Sequence, residues 1–163
     1  MALNRIIDPW QLLRISPLLL STASITYAGC ESHFFSVFLA PAHREKSNSL
    51  LPSWMEVSFY RVIGPLIGTY TLCAGLAGAN AYLNGDMIAP ESSTWYLRGM
   101  VFGLGHFAFV PLVAGTLERI MKDVSGGRST EDMAHWLKIH RIRMVVADLP
   151  AWLCYIKAVT LLL

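Results

Sequence analysis

The sequence predicts an all-α protein, a four-helix transmembrane bundle, on three observations. Hydrophobic residues make up 54% of the chain and charged residues 15%, against about 25% charged in a soluble domain. The apolar residues gather into four stretches, each near the roughly 20 residues a helix needs to cross a bilayer. Polar or glycine-bearing segments part them: 41–55, Asn84-Gly85-Asp86, and a loop around Gly126-Gly127. Four spans and their loops use nearly all 163 residues. A single integral membrane domain over 1–163 is therefore expected, with no separate soluble domain.

Taken in order, residues 1–16 form a partly amphipathic lead-in whose Trp10, Leu12, Leu13 and Ile15 suit the membrane interface. Span one is expected over 17–40, with Pro17 in its first turn. Its apolar run continues through Phe38 and Leu39, so it reads as a retained span and not a cleaved secretory signal. A polar loop over 41–55 carries His43, Arg44, Glu45 and Lys46, and Ser53 is placed to cap the next helix. Span two is expected over 60–83, span three over 94–120 and span four over 133–163. Span four is apolar from Met144 onward.

Small residues mark two helix faces. Gly64, Gly68, Thr71, Gly75 and Gly78 lie on one face of span two, which reads either as a cavity wall or as a site of close helix packing. Gly99 and Gly103 form a second pair in span three. His106 shares their face and so is expected to point into the bundle.

Orientation follows from the basic residues. Arg5, Arg14 and Arg98 flank one side, whereas nine Lys or Arg residues, Arg44 to Arg143, flank loops one and three. That bias places loops one and three in the cytosol and both termini in the lumen or outside, in an endoplasmic reticulum or other endomembrane. The net charge of +2, with no long basic run, excludes nucleic acid as an expected partner. Cys30, Cys73 and Cys154 sit in apolar stretches without a C-x-x-C, and read as buried small residues, not a disulfide framework.

Ionisable residues within a span are costly and are functional candidates by default. Here they are Glu31 and His33 in span one, His106 in span three, and His140, Arg143 and Asp148 in span four. At about 1.5 Å of rise per residue, Glu31 and His33 lie roughly 10–14 Å deep, His106 roughly 20 Å, and His140 and Arg143 roughly 10–18 Å. The three sets are thus expected to meet in the cytosolic half of the bilayer. Trp136, His140, Arg143 and Ala147 share a helical face, where they could either grip an aromatic anion or reach lipid headgroups. Asp148 falls off that face and sits two residues before Pro150, positioned to organise a kink or pair with a cation. No di-iron histidine box, G-x-S-x-G, P-loop or dinucleotide fingerprint is present, and no metal is expected, although His33, His106 and His140 leave a three-histidine metal site geometrically open.

The span-four run from Ala134 to Arg143, with Asp148 after it, resembles the C-terminal signature of the anthrone oxygenase-like family, small four-helix membrane proteins of fungal polyketide pathways. Its W-x-x-x-H-x-x-R core falls on Trp136, His140 and Arg143. Where family members carry an Asn-containing segment at the end of span three, this chain reads Gly115-Thr116-Leu117-Glu118. The resemblance implies oxidation of an anthrone to an anthraquinone, with dioxygen as co-substrate and no metal or flavin cofactor. The partner implied is a small aromatic lipophilic substrate within the lipid bilayer. Such a reaction needs a base, a cation and an apolar pocket. His140 or His106 is a candidate base, with Glu31 a further catalytic candidate, and Arg143 would hold the enolate-like oxygen. Trp136, Tyr27 and Phe107 could stack on the rings, with Asp148 and His33 as further binding candidates. Two other classes stay open: a membrane-embedded cyclase or isomerase of another lipophilic intermediate, and a non-enzymatic tetraspan protein.

Overall fold

The computed structural model describes residues 8–83 and 88–162. Four helical rods make up an all-α bundle, with no strand among the described residues. The first rod is Pro9–Val37. The Asp8 carboxylate accepts the Trp10 N–H at 2.9 Å, and Pro9 occupies the first turn, where its missing donor costs nothing. This helix therefore begins eight residues before the expected Pro17, which lies inside it. An internal proline leaves the carbonyl four residues back without its helical donor. The tertiary structure supplies one, because the Asn80 side-chain amide donates to the Leu13 carbonyl at 2.8 Å.

The second rod, Arg44–Leu83, is far longer than expected. The segment expected to be a loop is a short 3-10 turn, Pro41–His43, followed directly by helix. Ser53 does not cap it; its hydroxyl donates back to the Leu50 carbonyl at 3.2 Å from within the helix. The polar segment stays helical because its apolar face is used, with Leu51 and Met55 in the core. Asn48 also accepts the Thr130 N–H at 2.9 Å, satisfying an N-terminal donor of the fourth rod from another helix.

The third rod comprises Pro90–Gly105, a 3-10 turn at His106–Phe109, and Val110–Met121. The fourth comprises Ser129–Arg143, a π-helical turn at Met144–Asp148, and Leu149–Thr160. Between them, Gly126 at φ +61° and Gly127 at φ +80° adopt a left-handed backbone that favours glycine. Asn84-Gly85-Asp86 and the first seven residues of the lead-in, 1–7, lie outside the described residues.

Two apolar clusters hold the bundle. One, around Phe35, Leu51, Met55, Ile120, Met133, Trp136 and Leu137, lies toward loops one and three. The other, around Cys73, Ala77, Tyr96, Ala151, Tyr155 and Ala158, lies toward the opposite end. Gly99 belongs to the second: a Cβ there would come within 2.5 Å of the Tyr155 ring, so glycine is what lets that ring seat. The glycines of the second rod behave otherwise. A Cβ on Gly64, Gly68 or Gly75 would meet nothing within 4 Å, while one on Gly78 would lie 3.6 Å from Met100 Sδ of the third rod, so the stripe touches another helix at Gly78 alone among its glycines and forms no wall of the cavity described below. Cys73 and Cys154 are buried as expected, whereas Cys30 is exposed.

Candidate active site

Polar side chains converge between the two apolar clusters, and two local departures from α-helical geometry bring them together. The first is the π turn in the fourth rod. In an α-helix, residues five apart differ by about 140° in direction, so Asp148 and Arg143 would not meet. Pro150 has no N–H to continue the ladder, and the Leu149 N–H instead bonds the Met144 carbonyl, five residues back. That wider turn swings Asp148 onto the face of Arg143, with Asp148 Oδ2 3.3 Å from Arg143 Nε. The second is the 3-10 turn at His106–Phe109, where the buried His106 places Nδ1 3.0 Å from Asp148 Oδ1. Tyr70 completes the cluster, its hydroxyl donating to the same Oδ1 at 3.0 Å.

Asp148 is thus a hub for three groups, itself 4% exposed. An ionised carboxylate only accepts, so His106 donates from Nδ1 and keeps a lone pair on Nε2 when neutral. The Tyr70 ring lies against the His106 imidazole, centroids 3.9 Å apart.

Beside this hub lies a cavity of about 340 Å³ between the first and second rods. Its walls are mostly apolar, including Ala23, Ala28, Val62, Pro65 and Leu66. Its polar lining comes from Ser24, Tyr27 and Glu31 on the first rod, Arg61, Thr69 and Tyr70 on the second, and Arg143 on the fourth. Glu31 interacts with the Tyr27 hydroxyl one turn before it and lies in the field of Arg143. A smaller space of about 20 Å³ adjoins it behind Tyr70, against Asp148 and Tyr155; that is enough for one water molecule.

The structure brings Glu31, Tyr27, Arg143, Asp148 and His106 together in or beside this cavity. Phe107 sits behind it, edge-on to Tyr70 and His106. His140 is elsewhere. It is fully buried, its Nε2 donates to the Ala28 carbonyl at 2.9 Å, and its ring stacks on Trp136 at 4.7 Å. Trp136 is wedged between His140 and Phe35 in the apolar core. Neither lines the cavity, so in this arrangement His140 ties the fourth rod to the first and Trp136 packs the core. His33 is exposed, edge-on to Phe34, and also outside the cavity. His33, His106 and His140 are not gathered into one set, and no group of three or more His, Cys, Asp or Glu is placed to hold a metal among the described residues.

Tyr70 and Arg61 are the functional candidates that sequence reasoning missed. Tyr70 stands in the sequence as a hydroxyl within an apolar span, beside Thr69 and Thr71, and its signal is masked by the more regular glycine stripe on another face. Arg61 reads from the sequence only as a charge flanking loop one.

No known family's sequence model and no solved structure matches the chain. Individual relatives do. Epoxidase pydX of an Acremonium species is 32% identical over 151 residues, covering 92% of this chain and 93% of the relative. Epoxidase gkaX of Penicillium citrinum is 32% identical over 149 residues, 91% of this chain and 92% of the relative. A more distant relative, oxaleimides biosynthesis cluster protein N of Penicillium oxalicum, is 22% identical over 87% of this chain and 84% of its own length. Identity at this level, sustained from end to end, means that the chain belongs to the family of these fungal epoxidases, a group of oxidoreductases of secondary metabolism.

Proposed function

We propose that this chain is a membrane-embedded oxygenase that puts oxygen from dioxygen onto a lipophilic natural-product intermediate held in the 340 Å³ cavity. The observation that carries this reading is the meeting of Glu31, Tyr70 and Arg143, from three rods, in one cavity whose exposed lining is mostly apolar. Glu31 removes a proton from an activated carbon, and Arg143, steadied by Asp148, holds the oxygen on which the charge collects. Tyr70 and His106 keep Asp148 oriented. The delocalised carbanion passes an electron to dioxygen, and recombination with protonation gives a substrate hydroperoxide. No external reductant is consumed.

Two outcomes follow from that hydroperoxide. Transfer of its distal oxygen to a nearby alkene gives an epoxide and leaves an alcohol, and the names of the relatives favour this outcome. Loss of water from a CH–OOH centre gives a ketone, which is the anthrone-to-anthraquinone conversion implied by the Trp136–His140–Arg143 motif. Neither outcome calls for a resident metal or flavin in this scheme.

A bilayer setting is supported by two segments long and apolar enough to cross it, Pro41–Tyr82 and Pro90–Met121. Large apolar side chains also face outward on all four rods, among them Leu19, Tyr60, Val101 and Val145. The lysine and arginine bias supports an orientation with loops one and three cytosolic.

The test is incubation of purified membranes with ¹⁸O₂ and a panel of anthrones and of polyenes bearing an acidic C–H, with and without chelator, followed by mass spectrometry. Labelled quinone or epoxide that depends on Glu31 is expected. Unlabelled product, or no product from either class, would refute the reading. Turnover abolished by chelation and restored by one divalent ion would overturn its cofactor-free form.

A further inference from the structure

We infer that Arg61 is an anion-binding anchor at the cavity, and that the substrate carries an acidic group, a carboxylate or an enolised dicarbonyl, on an otherwise apolar body. This deepens the reading above and rests on it for the identity of the cavity's occupant. Three observations lead to it.

First, the cavity holds two guanidinium groups, and they are not equivalent. Arg143 is buried and committed, with Asp148 Oδ2 3.3 Å from its Nε and Glu31 in its field. Arg61 is exposed and forms no ion pair with any carboxylate among the described residues. Second, the carboxylate on the cavity wall, Glu31, lies with Tyr27 and in the field of Arg143 and forms no ion pair with Arg61. Arg61 is therefore the cavity's unclaimed charge. Third, its surroundings are apolar: Val62, Pro65 and Leu66 line the same wall. A guanidinium beside low-dielectric walls attracts an anion more strongly than one in open water, and its planar fork matches a carboxylate or a pair of enolised oxygens.

Together these place an acidic head at Arg61 and the apolar body along Val62, Pro65 and Leu66 toward Tyr70 and Arg143. The anchor holds one end of the substrate while the reacting carbon lies deeper. Arg61 thereby becomes a binding and specificity residue outside the proton-transfer and oxyanion set.

The inference is tested by binding, independently of turnover. The probes are cis-parinaric acid, a fluorescent polyene carboxylate, and its methyl ester, titrated against the full chain in phosphatidylcholine nanodiscs. The acid is expected to bind at least ten-fold more tightly than the ester. In Arg61→Gln the two should become equal, and Arg61→Lys should restore part of the difference. Because Arg61 is exposed, both variants are expected to fold, which unchanged melting would verify. Equal binding of acid and ester to the parent, no saturable binding of either, or an unchanged preference in Arg61→Gln would overturn the inference. So would loss of the acid's advantage when phosphatidylglycerol replaces part of the phosphatidylcholine, since Arg61 would then be a lipid-headgroup site. An Arg61-dependent preference without any oxidation of substrates would leave the anchor standing and remove the oxygenase reading.

Discussion

Replacing Asp148 with Asn tests the hub directly. The substitution keeps shape but removes charge, and it sets an amide donor beside the Arg143 cation, whose Nε lies 3.3 Å from Oδ2, while Tyr70 Oη and His106 Nδ1 donate to Oδ1. Asn can still accept from Tyr70 and His106 on the oxygen that replaces Oδ1, but the Arg143 cation is left buried without its counter-ion. Breaking a buried pair by removing one partner costs roughly 3–5 kcal/mol. For a chain of this size each kcal/mol lowers the midpoint by about 2–4 °C, giving a fall on the order of 6–20 °C. Tyr70→Phe removes a single bond to the carboxylate and should cost less, about 1.5–3 kcal/mol. The assay is thermal unfolding of detergent-solubilised protein followed by tryptophan fluorescence. The double replacement Arg143→Met with Asp148→Leu supplies the control, because it removes both charges and should be more stable than either single replacement. If Asp148→Asn melts with the parent, or if the two single effects simply add in the double variant, the ionised and coupled hub described here is wrong.

Further outcomes follow from other contacts. Gly99→Ala should destabilise by about 1–3 kcal/mol through overpacking against the Tyr155 ring, whereas Gly68→Ala should cost nothing or gain up to about 1 kcal/mol; parallel melts decide, and equal costs would refute the packing assignment. Arg143→Lys should lower turnover ten-fold or more at normal abundance, because Lys keeps the charge but loses the fork facing Asp148; full activity would remove Arg143 from the chemistry. His140→Phe should cost about 1 kcal/mol for the lost bond to the Ala28 carbonyl yet keep turnover within a few-fold, while a complete loss at normal abundance would return His140 to the base's role. Cysteines placed at Ser125 and at Glu91 should label from opposite sides of the membrane, and labelling of both from the cytosolic side would reject the four-span topology.

Helix identity was largely legible because it depends on composition and near-neighbour pattern. The third and fourth rods fall within a few residues of their expected spans. The misplaced boundaries have tertiary causes. Hydropathy parted residues 41–55 from the second helix, but Leu51 and Met55 pack into the core and Asn48 reaches Thr130, 82 positions away. Pro17 reads as a helix start until Asn80 supplies a donor for Leu13. The glycine stripe shows the same limit: periodicity identifies a face but not what opposes it, and Gly64, Gly68 and Gly75 oppose nothing in the bundle while Gly78 meets Met100.

The sequence by itself determined that the chain is helical, that it has four apolar segments, and which ionisable residues are expensive enough to matter. Those properties follow from residue type and from spacing along a single helix. Only the tertiary structure decided which of the ionisable residues act together. Straight-helix geometry puts His140 on the face of Arg143 and leaves Asp148 off it; the π turn before Pro150 brings Asp148 to Arg143, while His140 is taken up by the Ala28 carbonyl. Tyr70 and His106, distant in sequence, then meet on the same carboxylate. A backbone that gains one residue in a turn rotates every side chain beyond it, and residue spacing cannot register that rotation before the turn is seen.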